Sequence, residues 1–290
     1  MKFKQEFSKD KVARPISFDL WLGSHSVGEL EKYFSWGMLY YAWGLHGRAL
    51  NPSKAEASKE LFEDAMKMLE TLKKIARPKA VWRFFRAASD GEDIKLFRAD
   101  NKLLETLCFF RNQIPSKNVC LCASDFVAPV NSGFLDSIGL FAATAGTEVA
   151  EYESELKSRG KDYEAILVST LSNIIAEAYA HYINEIKMRP FAPDFCAGIR
   201  PACGYPMWAD HSEKKKIWSL LNVECKTGIR LTDNFMMNPT SSVCGLWIAN
   251  PLAKYINQMA VDSSQIEIYA KRKGAFADDA RKFSAVKVID

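Results

Sequence analysis

Residues 200–218 read RPACGYPMWADHSEKKKIW. The stretch opens as an irregular segment and turns into a charged helix start. Pro201 and Pro206 fix the backbone, and Gly204 permits a close approach by another chain or a ligand. Arg200 carries a planar fork of donors suited to a carboxylate. Tyr205 offers a flat face with a hydroxyl. Asp210, with Glu213 three residues on, has the spacing of a capping box, so a helix is predicted from His211. The segment either turns a corner before that helix or holds a ligand, and its residues alone leave both readings open.

Outward from this stretch, the chain is ordinary in bulk. Its 290 residues are enough for a sizeable core. Hydrophobic residues make up 48% and charged residues 26%, as in a globular domain. The net charge of +4 is too mild to argue for nucleic acid. The basic runs Lys214-Lys215-Lys216 and Lys271-Arg272-Lys273 read as solvated helix faces, or else as docking points for an acidic partner. Seven cysteines, an odd number without a CxxC pair, point to reduced thiols and a cytoplasmic setting rather than a disulfide frame or a zinc site. The N-terminus has no apolar core of a secretory signal. The longest apolar stretch, residues 134–150, is broken by Asp136 and Glu148, so no membrane span is expected.

Ser26 is placed to cap a short helix ahead of an aromatic run. Asn51-Pro52-Ser53 starts a second helix, with Leu61, Ala65, Met68 or Leu69, and Leu72 on one face, ending before Pro78. Residues 80–98 read as two strands joined at Asp90-Gly91. A short helix is predicted near Asn101–Gln113. A buried strand is predicted over 118–129, in which Cys120 and Cys122 would share a face, and another apolar element over 136–146. The longest helix is predicted from Asp162 to about Met188, with Ile166, Thr170, Ile174 and Ala178 on one face. Residues 189–199 read as loop, and 228–251 as strand, turn and strand. SSQIEIYAKRKG reads as a serine-capped helix stopped by glycine. Strands and helices mix without βαβ regularity, which predicts an α+β fold with a mainly antiparallel sheet.

The chain lacks GxGxxG, GxxxxGK[ST], HExxH and GxSxG. His25, His46, His181 and His211 are far apart, so no metal site is assigned, and no nucleophile–base set can be assembled from spacing.

In sequence order, however, LFEDAMKML, GEDIKLF, ASDFVAP, SIGLFAATAG, AEAYAHYINE, GIRPACGYP, DHSEK, IWSLL, TGIRLTDNFMM, SVCGLWIANP, AKY and IEIYAKRKG resemble the activation domain of cobalamin-dependent methionine synthase. The similarity runs from about Tyr33 to Lys282. It implies a single C-shaped α+β domain over residues 1–290, with a curved, mainly antiparallel sheet and flanking helices; residues 1–30 would be an N-terminal extension or arm. It also implies a reactivation subunit in methionine biosynthesis. Such a subunit binds S-adenosylmethionine and docks on a corrinoid protein, and a flavodoxin-type donor supplies one electron for reductive methylation of cob(II)alamin to methylcobalamin.

By the same resemblance, Arg200 holds the ligand carboxylate, the Ala202 backbone touches the ligand, Tyr205 lies near its reactive end, and Tyr255 belongs to the same site. Glu177 and His211 face the corrin. The family's Asp-Trp pair, whose Asp meets the ligand's amino group, is here Ser35-Trp36. Glu31, four residues earlier, would share a helix face with Ser35 and is a candidate to replace that Asp; its alternative is a solvated helix residue. Other departures are Arg86 and Cys203 where proline is usual, Met207-Trp208-Ala209, and Ile256. Nothing resembles the homocysteine or folate barrels or the corrinoid-binding loop, which implies a free-standing protein whose cobalamin is supplied by a methyltransferase partner. A second reading is a corrinoid-protein cap or chaperone that no longer binds S-adenosylmethionine. A third is a binder of another small molecule in the same cleft.

Overall fold

The computed structural model describes residues 6–45, 52–116 and 118–289. His46 and Asn51, both singled out above, lie outside the described residues. The first half of the chain carries β1 (Trp21–Ser24), α1 (Val27–Leu30), α2 (Gly37–Ala42), α3 (Pro52–Ile75), β2 (Lys79–Asp90), β3 (Asp93–Phe97), β4 (Leu103–Leu107) and β5 (Asp136–Thr144). Then come α4 (Thr147–Ser158), α5 (Asp162–Tyr182), α6 (Lys214–Leu221), α7 (Val223–Thr227), β6 (Arg230–Leu231), β7 (Met237–Asn238) and β8 (Ser242–Ile248). The chain closes with β9 (Ala260–Val261), α8 (Ser263–Lys273), α9 (Ala277–Phe283) and β10 (Lys287–Val288).

The main sheet runs β4-β3-β2-β5-β8, with β1 paired to the first half of β2, and every pairing in it is antiparallel. The fold is thus α+β with an antiparallel sheet, as the sequence predicts. Strand alternation sends odd and even positions to opposite faces. Val81, Phe85, Leu140 and Leu246 point into one core with Trp208, Ile217 and Tyr269. Trp82, Phe84, Phe141 and Trp247 point into another with α3 and α5. A sheet covered on both faces explains why β5 is buried along its whole length.

Several elements match their sequence signals. Ser26 forms a full capping box with Glu29 ahead of α1. Leu61, Ala65, Leu69 and Leu72 form the buried stripe of α3. The Asp90-Gly91 hairpin joins β2 to β3, with Gly91 in the left-handed region. α5 runs on into a wider π-helical turn over Ile183–Met188, so the long helix has its expected length.

Other expectations are corrected. The helix predicted near Asn101–Gln113 is strand β4, because pairing with β3 outweighs the local helix preference of its leucines. Residues 118–129 form a loop and a 3-10 turn at Ala123–Phe126 instead of a strand. Asp125 folds back there onto the Cys122 N–H and pairs with Arg111, and that local carboxylate competes with ladder formation. Cys120 and Cys122 therefore share no strand face. Ile166 is exposed, while Ile174 and Ala178 are buried. α8 is capped by Asp262 rather than serine, its carboxylate accepting from Gln265 N.

The basic runs are corrected too. Lys214 is buried, and Lys216, Arg272 and Lys273 are each mostly enclosed and ion-paired to Glu213, Asp93, or both Asp210 and Glu213. Acids drew Lys216, Arg272 and Lys273 inward, while Lys214 reaches the His211 ring and Phe235 O, which a charge count cannot foresee. Residues 12–24, within the expected N-terminal arm, supply β1 and place Val12 and Ala13 in the interior. Among the described residues no helix is long and apolar enough to cross a membrane.

Candidate functional site

The segment from Ile199 to Cys203 lies alongside the outer edge of β8. Ile199 exchanges both backbone hydrogen bonds with Ile248, Leu246 N donates to Pro201 O, and Cys203 N donates to Cys244 O. Opposite Ala202 stands Gly245, where an added Cβ would fall 2.3 Å from Pro201 O and 3.0 Å from the Ala202 Cα. Only glycine admits the segment this closely.

That register fixes what faces where. Odd positions bond to β8, so the amides of Arg200 and Ala202 turn away from it. Arg200 N donates to the Tyr255 hydroxyl at 2.8 Å. The Ala202 N–H has no partner among the described residues and is left facing outward. The side chains of Arg200 and Ala202 lie on the α5 face of the sheet. Cys203 lies on the other, in the core, with Sγ donating to Asp210 O at 3.4 Å, and burial pushes its thiol pKa well up. Cys203, one of the departures noted above, is therefore turned away from the α5 face. Met207, Trp208 and Ala209 are buried in that same core. Arg86 is also remote, bonding Ala99 O and Asn101 and lying over Phe18.

On the α5 face, Arg200 rests over the ring of Phe141, 5.8 Å from its centre, and donates to Glu177 at 3.2 Å. The pair is only partly enclosed, with 22% of the Arg200 side chain and 41% of that of Glu177 exposed. Such a contact is worth up to about 1 kcal/mol and opens easily. Tyr205 and Tyr255 stand largely free, 66% and 55% exposed. Helical spacing puts Thr170, Asn173 and Glu177 along one side of α5. Thr170 and Asn173 line a groove of about 420 Å³ with Ser35, Met38 and Tyr41. Glu177 is one turn beyond Asn173, so the Ser35 groove and the Arg200 pair are neighbours along a single helix. Asn173 and Phe141 were missed by sequence reasoning; a polar residue recurring at helical spacing along apolar α5 was the available signal for Asn173.

Not every expected residue joins this arrangement. Ser35 lines the groove from an exposed position before α2, whereas Trp36 packs edge-on against Phe34 and Phe62. Glu31 and Ser35 do not share a helix face: a 3-10 turn ends at Tyr33 and Phe34 is extended. The Glu31 carboxylate instead meets Lys73 at 2.9 Å. His211 presses on Gly204, where a Cβ would fall 2.4 Å from its ring, and Gly204 has a φ of +97° that favours glycine. Its Nδ1 is 2.7 Å from Lys214 Nζ, an ammonium that can only donate. Burial, and then Lys214, lower the His211 pKa. His211 thus supports the turn from behind, in a neutral state at pH 7.

Behind the turn lies a closed ionic cluster. Asp210 caps the 3-10 turn before α6 through Ser212 N and accepts from Tyr269 at 2.7 Å and from Lys273. Glu213, read above as the second half of a capping box, is fully buried instead. Its Oε2 accepts from Cys108 N at 2.9 Å, and Oε1 faces Lys216 at 2.7 Å and Lys273 at 3.3 Å, off the hydrogen-bonding direction. Burial opposes the charge of Lys216, but Glu213 outweighs it, and the Lys216 pKa is raised.

Known proteins resemble this chain over most of its length. The family model described as "Vitamin B12 dependent methionine synthase, activation domain" matches residues 26–274. The crystal structure of the MetH reactivation domain bound to AdoHcy superposes with a TM-score of 0.87 at 31% identity, covering 97% of this chain and 95% of that one. The chain belongs to the family of activation domains of vitamin B12-dependent methionine synthase.

Proposed function

We propose that the groove along α5 and the Arg200 segment binds S-adenosylmethionine, and that this face then docks on a corrinoid protein for reductive methylation. The observation that carries the reading is the half-open Arg200–Glu177 pair beside the outward Ala202 N–H. A cation and an anion side by side match the zwitterionic end of an amino-acid ligand. The guanidinium can turn its fork to a carboxylate, and Glu177 is then near the ligand's ammonium or sulfonium. Tyr205 and Tyr255 offer exposed rings to the rest of the molecule. The similarity to a domain bound to AdoHcy supports the same ligand class.

A cobalamin held by a methyltransferase partner would supply the methyl-accepting centre, with a flavodoxin-type protein as the source of one electron. This chain's part is to orient the sulfonium and to keep water out when the faces close. Seven free thiols fit a reducing, cytoplasmic setting.

A calorimetric titration with S-adenosylmethionine, with and without a corrinoid partner, tests the reading. A charged hydrogen bond is worth about 1.5–3 kcal/mol, so Arg200→Ala should weaken binding about ten- to a hundredfold. Unchanged affinity in a folded variant removes Arg200 from the site. One observation favours a second reading: Ser35 brings no carboxylate to the groove, and Glu31 is held by Lys73. If the native chain binds no S-adenosylmethionine at millimolar concentration yet still binds the corrinoid protein, it acts as a cap.

A further inference from the structure

A second recess opens two to three turns beyond Glu177, where the π-helical turn Ile183–Met188 meets the N-terminal segment. Its volume is about 230 Å³, and Trp21, Trp82, Phe84, Phe191, Ile186 and Lys187 line it, with Ile16 and Ser17 completing the wall. Trp21 and Trp82 are directly opposed across β1 and β2, so both indoles stand on one face, and Phe84 follows on that face. Phe191 meets Phe84 edge-on with ring centres 5.7 Å apart. Trp82 and Phe84 form a buried floor, while Ile16, Trp21 and Ile186 are exposed at the mouth. Apolar side chains gathered around an opening, rather than scattered, mark a place where something binds. The π turn that presents Ile186 and Lys187 is a second mark of function, because such widened turns recur at functional sites.

Ile16, Ser17 and Trp21 precede residue 26, where the family match begins. Lys187 is the one charged lining residue. Its ammonium lies 5.7 Å from the centre of the Tyr182 ring and has no carboxylate partner among the described residues. The Ser17 hydroxyl donates to Asp19 at 2.5 Å, so polar recognition at the mouth falls to Lys187.

We propose that this recess binds a small planar aromatic anion, its ring set between the indole of Trp21 and the ring of Phe191 and its carboxylate or sulfonate facing Lys187. The volume lies below the usual range for drug-sized ligands, about 300–1,000 Å³, which limits the occupant to one ring system. Aromatic walls favour a flat ring, and the unpaired ammonium selects an anion over a neutral or cationic analogue.

The test titrates the full chain with 2-naphthoate, its neutral amide and the cationic 2-naphthylmethylammonium, by calorimetry and by the tryptophan indole N–H signals. Saturable sub-millimolar binding of naphthoate is expected, with the amide about three- to fivefold weaker and the cation weaker still. Trp21→Ala should cost about tenfold or more in naphthoate affinity, and Trp21→Phe should restore most of it, which separates lost contact from lost folding. Lys187→Gln should abolish the preference for the anion over the amide. Arg200→Ala should leave naphthoate binding intact. Absence of saturable binding, indifference to Trp21→Ala, a preference that survives Lys187→Gln, or loss of binding in Arg200→Ala would each overturn the proposal.

Discussion

Two ionic clusters stand back to back across the segment Ile199–Cys203. Behind it, Asp210 and Glu213 meet Lys216 and Lys273 in the interior, with Tyr269, Ser212 and the Cys108 amide completing their contacts. In front, Arg200 and Glu177 share one 3.2 Å contact and stay partly exposed. The residue types are alike, but the burial is not. A closed cluster cannot change partners without stranding a charge, so it holds the turn in place. An open pair gives up little when it parts, so it can exchange its partner for a ligand. The difference separates the charges that build the loop from those that can act.

Removing an acid from the closed side should have the largest effect. Glu213→Ala takes the carboxylate partner from Lys216, leaves Lys273 with Asp210 alone, strands the Cys108 amide, and is expected to destabilise by about 3–5 kcal/mol in a denaturant titration. A loss under about 1 kcal/mol would mean that water reaches the cluster. Next comes the seam between the two sides: Gly245→Ala forces a Cβ against backbone that cannot yield, which should cost about 2–3 kcal/mol and weaken S-adenosylmethionine binding as the segment is displaced. If stability falls and affinity does not, the segment is scaffold only. On the open side, Ser35→Asp should tighten S-adenosylmethionine binding several-fold, while Glu31→Gln stays silent because Lys73 occupies that carboxylate. The reverse outcome would return Glu31 to the site.

The smallest expected effect is on pH dependence. Burial lowers the pKa values of His25 and His211, so the unfolded chain takes up protons first as pH falls below the ordinary histidine value of 6.5. Stability should therefore decline as pH falls through about 6.5, until the folded histidines titrate as well. Asp136 opposes this: burial raises its pKa to about 6, so the folded state takes up its proton first and gains stability as pH falls from about 6 towards 3.8. Melts between about pH 7.5 and about pH 5.5 should show a steeper decline in Asp136→Asn and a flatter one in His25→Gln.

Much of the fold was legible because strands and helices repeat: the α3 stripe, the Asp90-Gly91 hairpin and the capped α1 each carry a local signal. β4 was not legible, because its strand state comes from β3 rather than from its own residues. Of the candidate site, the residue types were legible, Arg200 and Tyr205 on a proline-stiffened segment, and the resemblance added Glu177 and Tyr255 as candidates. The Arg200–Glu177 contact joins residues far apart in sequence, and no spacing rule reaches that far. The inward turn of Lys216 and Lys273 was hidden for a related reason, since a lysine written in a run looks solvated until its buried carboxylate is known.

The alignment of the Arg200 segment with β8 has a further consequence, for solubility. A sheet that ends in a bare strand offers a row of unpaired amides to other molecules. Here that row is covered by a strip carrying Pro201, and one of the strip's own outward amides is occupied by Tyr255. The remaining outward amide, at Ala202, is a single point rather than a ladder, so it can receive a ligand without inviting a second sheet to grow.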